Sequence, residues 1–569
     1  MKKKSFKLVL FSLGMCASIP FFCQQNGDAG SIHGFYQADA QYYFPDSLIS
    51  APTVAEKFLS NAFANINYTR GDFSAGLRYE SYQNVMLGYP TGYKGSGIPY
   101  RYVRYKHKDL DFTAGNFYEQ FGSGLIFRAY EARGLLFDNT IDGIRGIYKA
   151  DKGFTFKGFV GKNRLFFGLA PGIVRGFDGE WNINEFNESL ANKKTKVILG
   201  GSFVSKYQDD QNPSYVLPLN VGCYGGRATI IRGGFNFFAE GAYKINDPST
   251  NNNYSYRDGK AAYVTLSYSG NDSGMVKKEG SDTKTKVCVG GYSFSIAGKM
   301  IDNMSYRSDR TAKLTAAMIN FLPALTKPHT YLMMAYYPYA TQPNGEAGGQ
   351  AEFQYKARKG TPLGGHYGWE LTVNGSVAYG TDTTNIVGPD PARYNYDIDY
   401  TNIGEEYFHD VNVEFNKKLS KKSKVTLMYS NQFYNKNIVQ QNSPNAGFEN
   451  IKTHIGVIDF TYKYKSGSAI RFEGQTMQTE QDKGSWAVGL VEWTITSSWF
   501  VTVLDQYNYG NKDATLQLHY PLVNLTYVSG PTRIVLQYGK QRAGIFCVGG
   551  VCRFVPASNG PSITISSSF

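Results

Sequence analysis

The sequence predicts an all-β protein, built as a single transmembrane barrel of antiparallel, up-and-down strands. Three observations indicate this fold: an export signal at the N-terminus, alternating segments of about ten residues, and links that alternate in length. The composition agrees, with 44 Tyr, 38 Phe and 62 Gly among 569 residues. A soluble all-β secreted protein, such as a propeller or a lectin array, is the alternative.

The first 23 residues have the features of a signal peptide. Four lysines lie within the first seven residues, and an apolar run from Leu8 to Phe22 follows. That run is shorter than the roughly 20 residues that a membrane-spanning helix needs. We therefore expect residues 1–23 to be removed near Gln24 and residues 24–569 to form one barrel.

Alternation with a period of two recurs along the chain and gives each predicted strand one apolar face. A clear example is the pair of strands on either side of the turn at 70–72. Their apolar positions are Ala62, Ala64, Ile66, Tyr68, Phe73, Ala75, Leu77 and Tyr79, and their polar face includes Arg78 and Glu80. Strands of soluble sheets average about five or six residues. These segments have the greater length, about ten residues, that a tilted strand needs to cross a membrane.

The links between strands alternate in length, as in outer-membrane barrels with short periplasmic turns and long external loops. The predicted short turns include 529–531, 496–497, 465–467, 420–423 and 325–328, and the predicted long loops include 45–56, 121–142 and 542–560. Two predicted periplasmic links, 184–194 and 271–285, are longer than this rule expects. The pattern predicts about 26 strands, with 24 as the other count, and places both termini on the periplasmic side.

The chain ends on Phe569, which shares one face of an alternating segment with Ile563 and Ile565. This ending resembles the signal by which bacterial barrels are recognised for insertion, although Ser567 departs from its apolar pattern. An ordinary edge strand that ends in phenylalanine is the alternative. We expect the barrel-insertion machinery as a partner, and outer-membrane lipid and lipopolysaccharide around the barrel.

The formal net charge of +13 does not indicate nucleic-acid binding, because the basic residues are spread along the chain. Contact with lipopolysaccharide phosphates would account for this charge. A lumen that favours anions would account for it equally well.

Four cysteines follow the signal, and two of them, Cys547 and Cys552, enclose the sequence VGGV. A Gly-Gly pair favours a tight hairpin turn, which would place these cysteines opposite each other on paired strands. We therefore expect a disulfide that stiffens the external loop 542–560. Zinc binding is the weaker alternative, because no histidine lies nearby. Pairing of Cys223 with Cys288 stays open.

The stretch from Asn116 to Arg145 breaks the alternation and mixes charges of both signs with glycine and aromatic residues. A barrel of this size encloses a lumen wide enough to leak unless something fills it. We therefore predict that this segment folds inward and constricts the lumen, with arginine and carboxylate groups facing each other. The charged residues concerned are Glu119, Arg128, Glu131, Arg133, Asp138, Asp142 and Arg145. A surface loop held by salt bridges is the alternative.

No local catalytic motif occurs in the sequence: there is no Gly-x-Ser-x-Gly, no His-Glu-x-x-His and no phosphate-binding loop. The seven histidines are scattered singly. We therefore expect no enzymatic activity and no cofactor. Catalysis assembled across distant strands is the remaining alternative.

Several stretches along the chain also carry a family resemblance. They are FYEQFGSG at 117–124, YRSDR at 306–310, NFLPAL at 320–325, YPYATQPNGE at 337–346, DQYNYG at 505–510 and the run 539–569 with its CVGGVC. In these stretches the chain resembles a family of large outer-membrane barrels of Bacteroidota whose function is unknown. The resemblance implies a barrel in the cell outer membrane, and it implies no site residues.

These features favour the passage of a small solute across the outer membrane, through a diffusion pore or a gated transporter. Selection would depend on the width of the lumen and on the charged groups that line it. Strand patterning begins a few residues after the signal, so we expect no plug domain of the kind found in TonB-dependent receptors. A structural or secretion-accessory barrel that binds a partner protein is the alternative function.

Overall fold

The computed structural model describes residues 30–209, 212, 214–277, 284–385, 396–441, 446–548 and 551–569. The signal peptide expected at 1–23 and its cleavage near Gln24 lie outside these residues. Thirty strands form in the described part of the chain. In chain order they are β1 Ser31–Tyr42, β2 Phe58–Arg70, β3 Phe73–Asn84, β4 Gly95–His107, β5 Leu110–Phe117, β6 Glu119–Phe121, β7 Phe127–Ala129, β8 Glu131–Ala132, β9 Phe137–Asp138, β10 Ile141–Ala150, β11 Phe154–Leu165, β12 Gly168–Asn182, β13 Thr195–Tyr207, β14 Asn220–Arg232, β15 Phe235–Lys244, β16 Gly259–Lys277, β17 Lys284–Asp302, β18 Gly345–Ala357, β19 Trp369–Asn385, β20 Tyr396–Lys418, β21 Ser423–Tyr434, β22 Ile451–Lys465, β23 Ser468–Gln478, β24 Trp486–Thr494, β25 Trp499–Tyr507, β26 Leu522–Ser529, β27 Thr532–Gln541, β28 Gly544–Val548, β29 Val551–Val555 and β30 Ser558–Ser568.

Twenty-four of these strands form one closed sheet, in which each strand pairs antiparallel with the next one around the ring. In this ring β5 is followed by β10, β27 is followed by β30, and β30 pairs with β1 to close the barrel. The predicted single antiparallel barrel is confirmed, with 24 strands rather than about 26. The other six strands form three two-stranded hairpins, β6–β7, β8–β9 and β28–β29.

Links at the two ends of the barrel differ in length, and we name the ends accordingly. At the turn end many links are short, as at 71–72 and 419–422, although the link 183–194 is longer, as expected. At the loop end most connections are long, including 43–57 and 118–140. Since β1 begins and β30 ends at the turn end, both ends of the barrel chain lie on that side.

Within the described ranges, helical structure is limited to short pieces in these links. The α-helices are Glu188–Ala191 and Lys436–Gln441, and the 3-10 turns are Thr91–Tyr93, Arg133–Leu135, Asp151–Gly153, Ile183–Glu185, Thr250–Asn252 and Ala514–Leu516. No helix in the described ranges is long and apolar enough to cross a membrane.

The outward face of the barrel carries the apolar residues of the alternating pattern. In the β2–β3 hairpin, Ile66 lies opposite Leu77 and Ala64 lies opposite Tyr79. Ile66, Leu77 and Tyr79 are exposed, whereas Arg78 and Glu80 on the other face of β3 are buried inside the barrel. An apolar outer face and a polar inner face suit a strand that stands between lipid and a polar lumen.

The connection between β17 and β18 explains why the closed sheet has two strands fewer than the predicted 26. Here the sequence predicted a short turn at 325–328, but residues 303–344 form one long connection without a strand, and the predicted turn is wrong. This connection contains four prolines, Pro323, Pro328, Pro338 and Pro343. Proline lacks the N–H group that a sheet ladder needs, so a pair of central strands is disfavoured here.

The C-terminal Phe569 lies beside the first strand. Its N–H donates to the Gly34 carbonyl oxygen at 3.0 Å, and the Gly34 N–H donates to the Phe569 carbonyl oxygen at 2.9 Å. A Cβ atom at Gly34 would come within 2.0 Å of the Phe569 ring, so only glycine leaves room for that ring. The ring is exposed on the outside of the barrel. Its role as an insertion signal stays a prediction.

Candidate functional site

Two connections from the loop end fold into the lumen, and the first of them is residues 118–140, named here the first inward segment. It leaves the wall after Phe117 and rejoins it at Ile141, and these two residues are direct partners in the sheet. The Phe127 ring lies 4.4 Å from the ring of Phe159 on the inner face of β11. Apolar side chains of this segment with no solvent exposure are Phe121, Leu125, Ile126 and Phe127. The segment therefore packs against the inner wall, as the broken alternation predicted.

A glycine turn brings the first inward segment close to a carboxylate on β15. Gly122 has φ +53, a left-handed conformation, and a Cβ atom there would lie 2.4 Å from Oε1 of Glu240. The Ser123 N–H donates to Oε2 of Glu240 at 2.7 Å. The FGSG sequence thus provides the close approach that this hydrogen bond requires.

The second inward segment is residues 303–344, and it also leaves and rejoins the wall between direct partners, Asp302 and Gly345. Its first part packs on the first inward segment. The Phe321 N–H donates to the Gly124 carbonyl oxygen, and the Arg128 N–H donates to the Ile319 carbonyl oxygen, both at 2.9 Å.

The remainder of the second inward segment covers the opposite side of the lumen, along β19–β26. Its buried residues Met333, Met334, Tyr336, Tyr337 and Tyr339 pack with wall residues that include Phe408, Met428, Ile455 and Trp486. The Arg542 guanidinium lies 3.9 Å from the Tyr336 ring centroid. Together the two segments fill much of the lumen with close-packed side chains.

Buried ion pairs fix the first inward segment to the wall. Arg164 on β11 contacts Glu80 of β3 and Asp138 of the segment, each at 2.6 Å. Arg78 on β3 also pairs with Asp138, and it contacts Glu131 at 3.0 Å. Four of these five side chains are nearly inaccessible to solvent, so each charge depends on its partners for stabilisation.

The other charged residues predicted in the constriction lie in different settings. Glu119 contacts Arg145 at 3.2 Å and Lys157 at 2.9 Å, both on the inner wall. Arg133 pairs with Glu131 at 2.8 Å and is 38% exposed, which leaves it the most accessible of this group.

Arg128 and Asp142 take no part in charge pairing across the lumen. The Arg128 guanidinium lies 4.2 Å from the ring centroids of both Tyr130 and Phe321. Asp142 shares the outward face of β10 with the exposed Ile144 and pairs with Arg101 at 3.0 Å, so it lies outside the lumen. Arg128 therefore lies in the lumen as predicted but faces no carboxylate among the described residues, and the predicted lumen position of Asp142 is wrong. A constricting role for the rest stays a prediction.

A cavity of about 430 Å³ lies between the first inward segment and the inner faces of β27, β30, β1 and β2. We name these four inner faces the open wall. Most of its side chains at the cavity are amides, hydroxyls and one carboxylate, beside the apolar Ala40, Phe63 and Ile563; the polar ones are Gln37, Asp39, Gln41, Asn61, Gln537, Gln541, Ser558, Ser562 and Thr564. Glu131 and Arg133 face the cavity from the segment. This part of the lumen is therefore lined by groups that can bind hydrophilic solutes.

Residues of the loop end bound this cavity, among them Tyr43, Leu87 and Tyr93. The Leu87 N–H donates to the Tyr43 hydroxyl at 3.3 Å, and the Tyr93 hydroxyl donates to the Leu136 carbonyl oxygen at 3.2 Å. Burial raises the pKa of the Tyr43 hydroxyl to about 12. That group therefore stays neutral at physiological pH, and these contacts hold the connections over the cavity.

A second cavity, of about 330 Å³, lies at the tip of the second inward segment. Lys327 contacts Glu414 at 3.3 Å, and the Tyr331 hydroxyl donates to Asp459 at 3.1 Å. Both carboxylates lie toward the turn end of their strands, so the segment reaches deep into the barrel. Sequence reasoning missed this segment, although its four prolines were a usable signal.

The cysteines of the chain differ in what the structure describes of them. Cys223 and Cys288 are free thiols. The backbone register of the β28–β29 hairpin places Cys547 opposite Cys552. The disulfide between them stays a prediction. Among the described residues, no three His, Cys, Asp or Glu side chains are grouped to hold a metal ion.

The fold and the lumen define a class: closed up-and-down barrels of 24 strands whose own connections fill the interior. Within that class, the chain belongs to a family of unknown function (DUF6029), which matches residues 1–569. No curated protein matches the sequence.

Solved structures with partial similarity include three bacterial proteins. The siderophore receptor PirA from Pseudomonas aeruginosa is 10% identical with a TM-score of 0.41, over 95% of this chain and 81% of that one. OpdQ from the same organism is 10% identical with a TM-score of 0.32, over 95% and 97%. A chain of the E. coli P pilus assembly intermediate PapC-PapD-PapK-PapG is 9% identical with a TM-score of 0.43, over 97% and 62%. Similarity at this level assigns neither a solute nor a mechanism.

Proposed function

We propose that this barrel spans the outer membrane and passes small hydrophilic solutes along the open wall. The observation that carries the proposal is the cavity of about 430 Å³ beside that wall. Amide and hydroxyl side chains can replace the water molecules that a solute loses on entering a narrow passage. On the other side of the lumen, along β10–β26, apolar side chains from the two inward segments cover most of the wall, and the second cavity there is lined by charged side chains such as Lys327, Glu414 and Arg471.

The membrane location rests on the outside of the barrel. A closed sheet leaves no unpaired strand edge, which is what allows strands to lie in lipid. Aromatic side chains also form an exposed row near the turn end, including Tyr464, Trp493 and Trp499, as expected where a barrel meets the membrane surface. The sequence resemblance described above supports a Bacteroidota outer membrane.

The chemistry of the cavity favours solutes without a net charge. The open wall is lined mostly by neutral groups, and on the opposite side Arg133 is paired with Glu131 at 2.8 Å. These two charges offset each other, and Glu80 and Asp138 pair with Arg78 and Arg164. Among the described residues Asp39 of the open wall forms no ion pair, so a solute with a net negative charge is disfavoured. Sugars and zwitterionic amino acids are therefore the solute classes that we propose.

Passage through this cavity would require movement at the loop end. Tyr43, Leu87 and Tyr93 bound the cavity there, and their hydrogen bonds hold the connections in place. We therefore favour a gated path over a permanently open pore. No chemical step is involved, and the proposal is a transport function without enzymatic activity.

Swelling of liposomes that contain the purified barrel tests this path, with sugars and amino acids as solutes. Ser562→Trp places a bulky ring on the open wall, and we expect solute flux to fall at least tenfold. The matched control is Ser567→Trp on the same strand, since Ser567 lies opposite Tyr36 on the outward face. Flux in this control is predicted to stay near the wild-type value.

Two outcomes would contradict the proposal. Equal flux in both tryptophan variants would show that solutes do not follow the open wall. A wild-type barrel that passes no solute would leave the partner-binding alternative, which copurification after mild detergent extraction addresses.

A further inference from the structure

Three cations lie on the outward face of neighbouring strands, near the loop end of the barrel. They are Arg101 on β4, Lys162 on β11 and Arg175 on β12. Arg101 is 58% exposed, Arg175 is exposed, and Lys162 is partly exposed. These cations face away from the lumen, since Val160 and Phe177, two residues along the same strands, are exposed on the outside.

The sheet register brings these three cations into one patch, named here the cationic patch. Val160 lies opposite Arg175, so Lys162 and Arg175 are diagonal neighbours about 7–8 Å apart. Arg101 lies three strands from Lys162, or roughly 14 Å at the usual strand spacing. Long, flexible side chains at these separations can reach two anionic groups of one ligand.

The cationic patch keeps a positive charge because it contains only one acidic neighbour in register. Asp142 pairs with Arg101 at 3.0 Å and lies opposite Lys162 in the sheet. The side-chain oxygen of Asn116 accepts a hydrogen bond from the Arg101 N–H at 2.8 Å. Within the described ranges, neither Lys162 nor Arg175 forms an ion pair.

An apolar strip adjoins the cationic patch on the side toward the turn end. Its side chains are Val103 on β4, Ile144 on β10, Val160 on β11 and Phe177 on β12, and they are 44–56% exposed. These strands lie within a run of five, since β5 stands between β4 and β10. The exposed cations thus lie on the loop-end side of the exposed apolar side chains. This arrangement suits an amphiphile, because its anionic head can contact the cations while its apolar tail contacts the strip.

We propose that the cationic patch binds the phosphate groups of an anionic lipid in the leaflet at the loop end. Lys162 and Arg175 contact one phosphate, Arg101 contacts a second, and the acyl chains lie on the apolar strip. The ligand is a lipid rather than a soluble anion, because the cations face outward beside apolar surface and not into the lumen. The inference rests on the proposed membrane location, and it is independent of solute passage.

Titration of the purified barrel in neutral detergent with lipid A that carries two phosphates tests the inference, with bound lipid counted by native mass spectrometry. We expect saturable binding to the wild-type barrel. Lys162→Gln combined with Arg175→Gln should weaken it about 25-fold, or about fivefold for each cation lost. Both side chains are on the surface, so the barrel is expected to fold normally in this variant.

The matched control removes two exposed cations from the turn end of the neighbouring β10–β11 hairpin, through Lys149→Gln and Lys152→Gln. Its lipid affinity should equal that of the wild type. An equal loss in this control would overturn the inference, since net charge alone would then explain binding. Absence of saturable binding to the wild type would overturn it too.

Inorganic phosphate at millimolar concentration distinguishes a lipid from a free anion. We expect it not to displace lipid A, and displacement would overturn the assignment to a lipid. Solute flux measured on the Lys162 and Arg175 variant should match the wild type. A barrel that binds lipid but passes no solute would count against the proposed transport alone.

Discussion

The two sides of the lumen differ in how their inner walls are covered. Along β10–β26 the two inward segments bring apolar side chains such as Phe127 and Tyr306 against the wall, and these side chains are almost fully buried. Along β27, β30, β1 and β2 the wall instead presents amides and hydroxyls to a cavity. The difference shows that the barrel is filled unevenly, and that the larger of the two cavities lies on the side where the wall is mostly polar and uncharged.

The hydrogen bonding of the barrel wall does not depend on the two inward segments. Each inward segment begins and ends between direct sheet partners, Phe117 with Ile141 and Asp302 with Gly345. The hydrogen-bonded ring is therefore continuous without the segments. Their apolar contacts stabilise the packed side, whereas the polar open wall depends on them much less.

The largest effect is expected from deletion of residues 121–140. Because Phe117 and Ile141 are already paired, residues 118–120 can form a short turn and the ring can stay closed. Removing the first inward segment should raise single-channel conductance in planar bilayers severalfold. The control deletion removes 512–517 from an external connection, where most residues are exposed, and should leave conductance unchanged. Unchanged conductance after loss of 121–140 would refute the constriction.

A second difference should appear in stability. Phe127 has no solvent exposure and stacks on Phe159 at 4.4 Å, so Phe127→Ala should lower the free energy of unfolding by about 3–5 kcal/mol. Gln537→Ala on the open wall should change it by less than about 0.5 kcal/mol. Denaturant titration of both variants in the same detergent gives the two values. A similar loss in both would remove the distinction between the packed side and the open wall.

The buried ion pairs should matter nearly as much as the aromatic packing. Arg164→Ala leaves Glu80 and Asp138 with one partner fewer in a buried setting, which should cost about 3 kcal/mol of unfolding free energy. Arg133→Ala, at a residue that is 38% exposed, should cost at most about 1 kcal/mol. Combining Arg164→Ala with Glu80→Gln should recover part of the loss. No recovery would argue against an electrostatic cause.

The smallest effect is expected in the external hairpin β28–β29, where the register places Cys547 opposite Cys552. If these two form the proposed disulfide, the denatured mature chain should bind two equivalents of a thiol reagent before reduction and four after it. The two early thiols are Cys223 and Cys288. Cys547→Ser should leave solute flux unchanged, because the open wall does not include this hairpin. Four reactive thiols before reduction would exclude the disulfide.

Much of the wall was predictable from local alternation. Positions such as Ile66 and Leu77 face outward as the period of two requires, since one face of each strand meets an apolar environment. The first inward segment was also predictable, because charges and glycines interrupt the alternation between Phe117 and Ile141.

Features that depend on contacts between distant parts of the chain could not be predicted from local alternation. The second inward segment resembles a pair of short apolar strands in sequence, and only its prolines argue against that interpretation. Asp142 was assigned to the lumen, although alternation counted from Ile144 places it outside. The open wall exists because neither inward segment covers β27, β30 and β1, which no local pattern encodes.

The most direct test of the central claim, that solutes follow the open wall, is modification of single cysteines in liposomes during flux measurements. The background replaces Cys223 with alanine and Cys288, Cys547 and Cys552 with serine, so that each variant carries one thiol in the mature chain. Gln537→Cys then lies on the open wall, and Asn374→Cys replaces a fully buried residue on the packed side. We predict that a bulky, water-soluble thiol reagent reacts with Gln537→Cys and stops solute flux, while Asn374→Cys stays unmodified and active. Flux that persists after complete modification of Gln537→Cys, or that is lost through Asn374→Cys, would contradict the account.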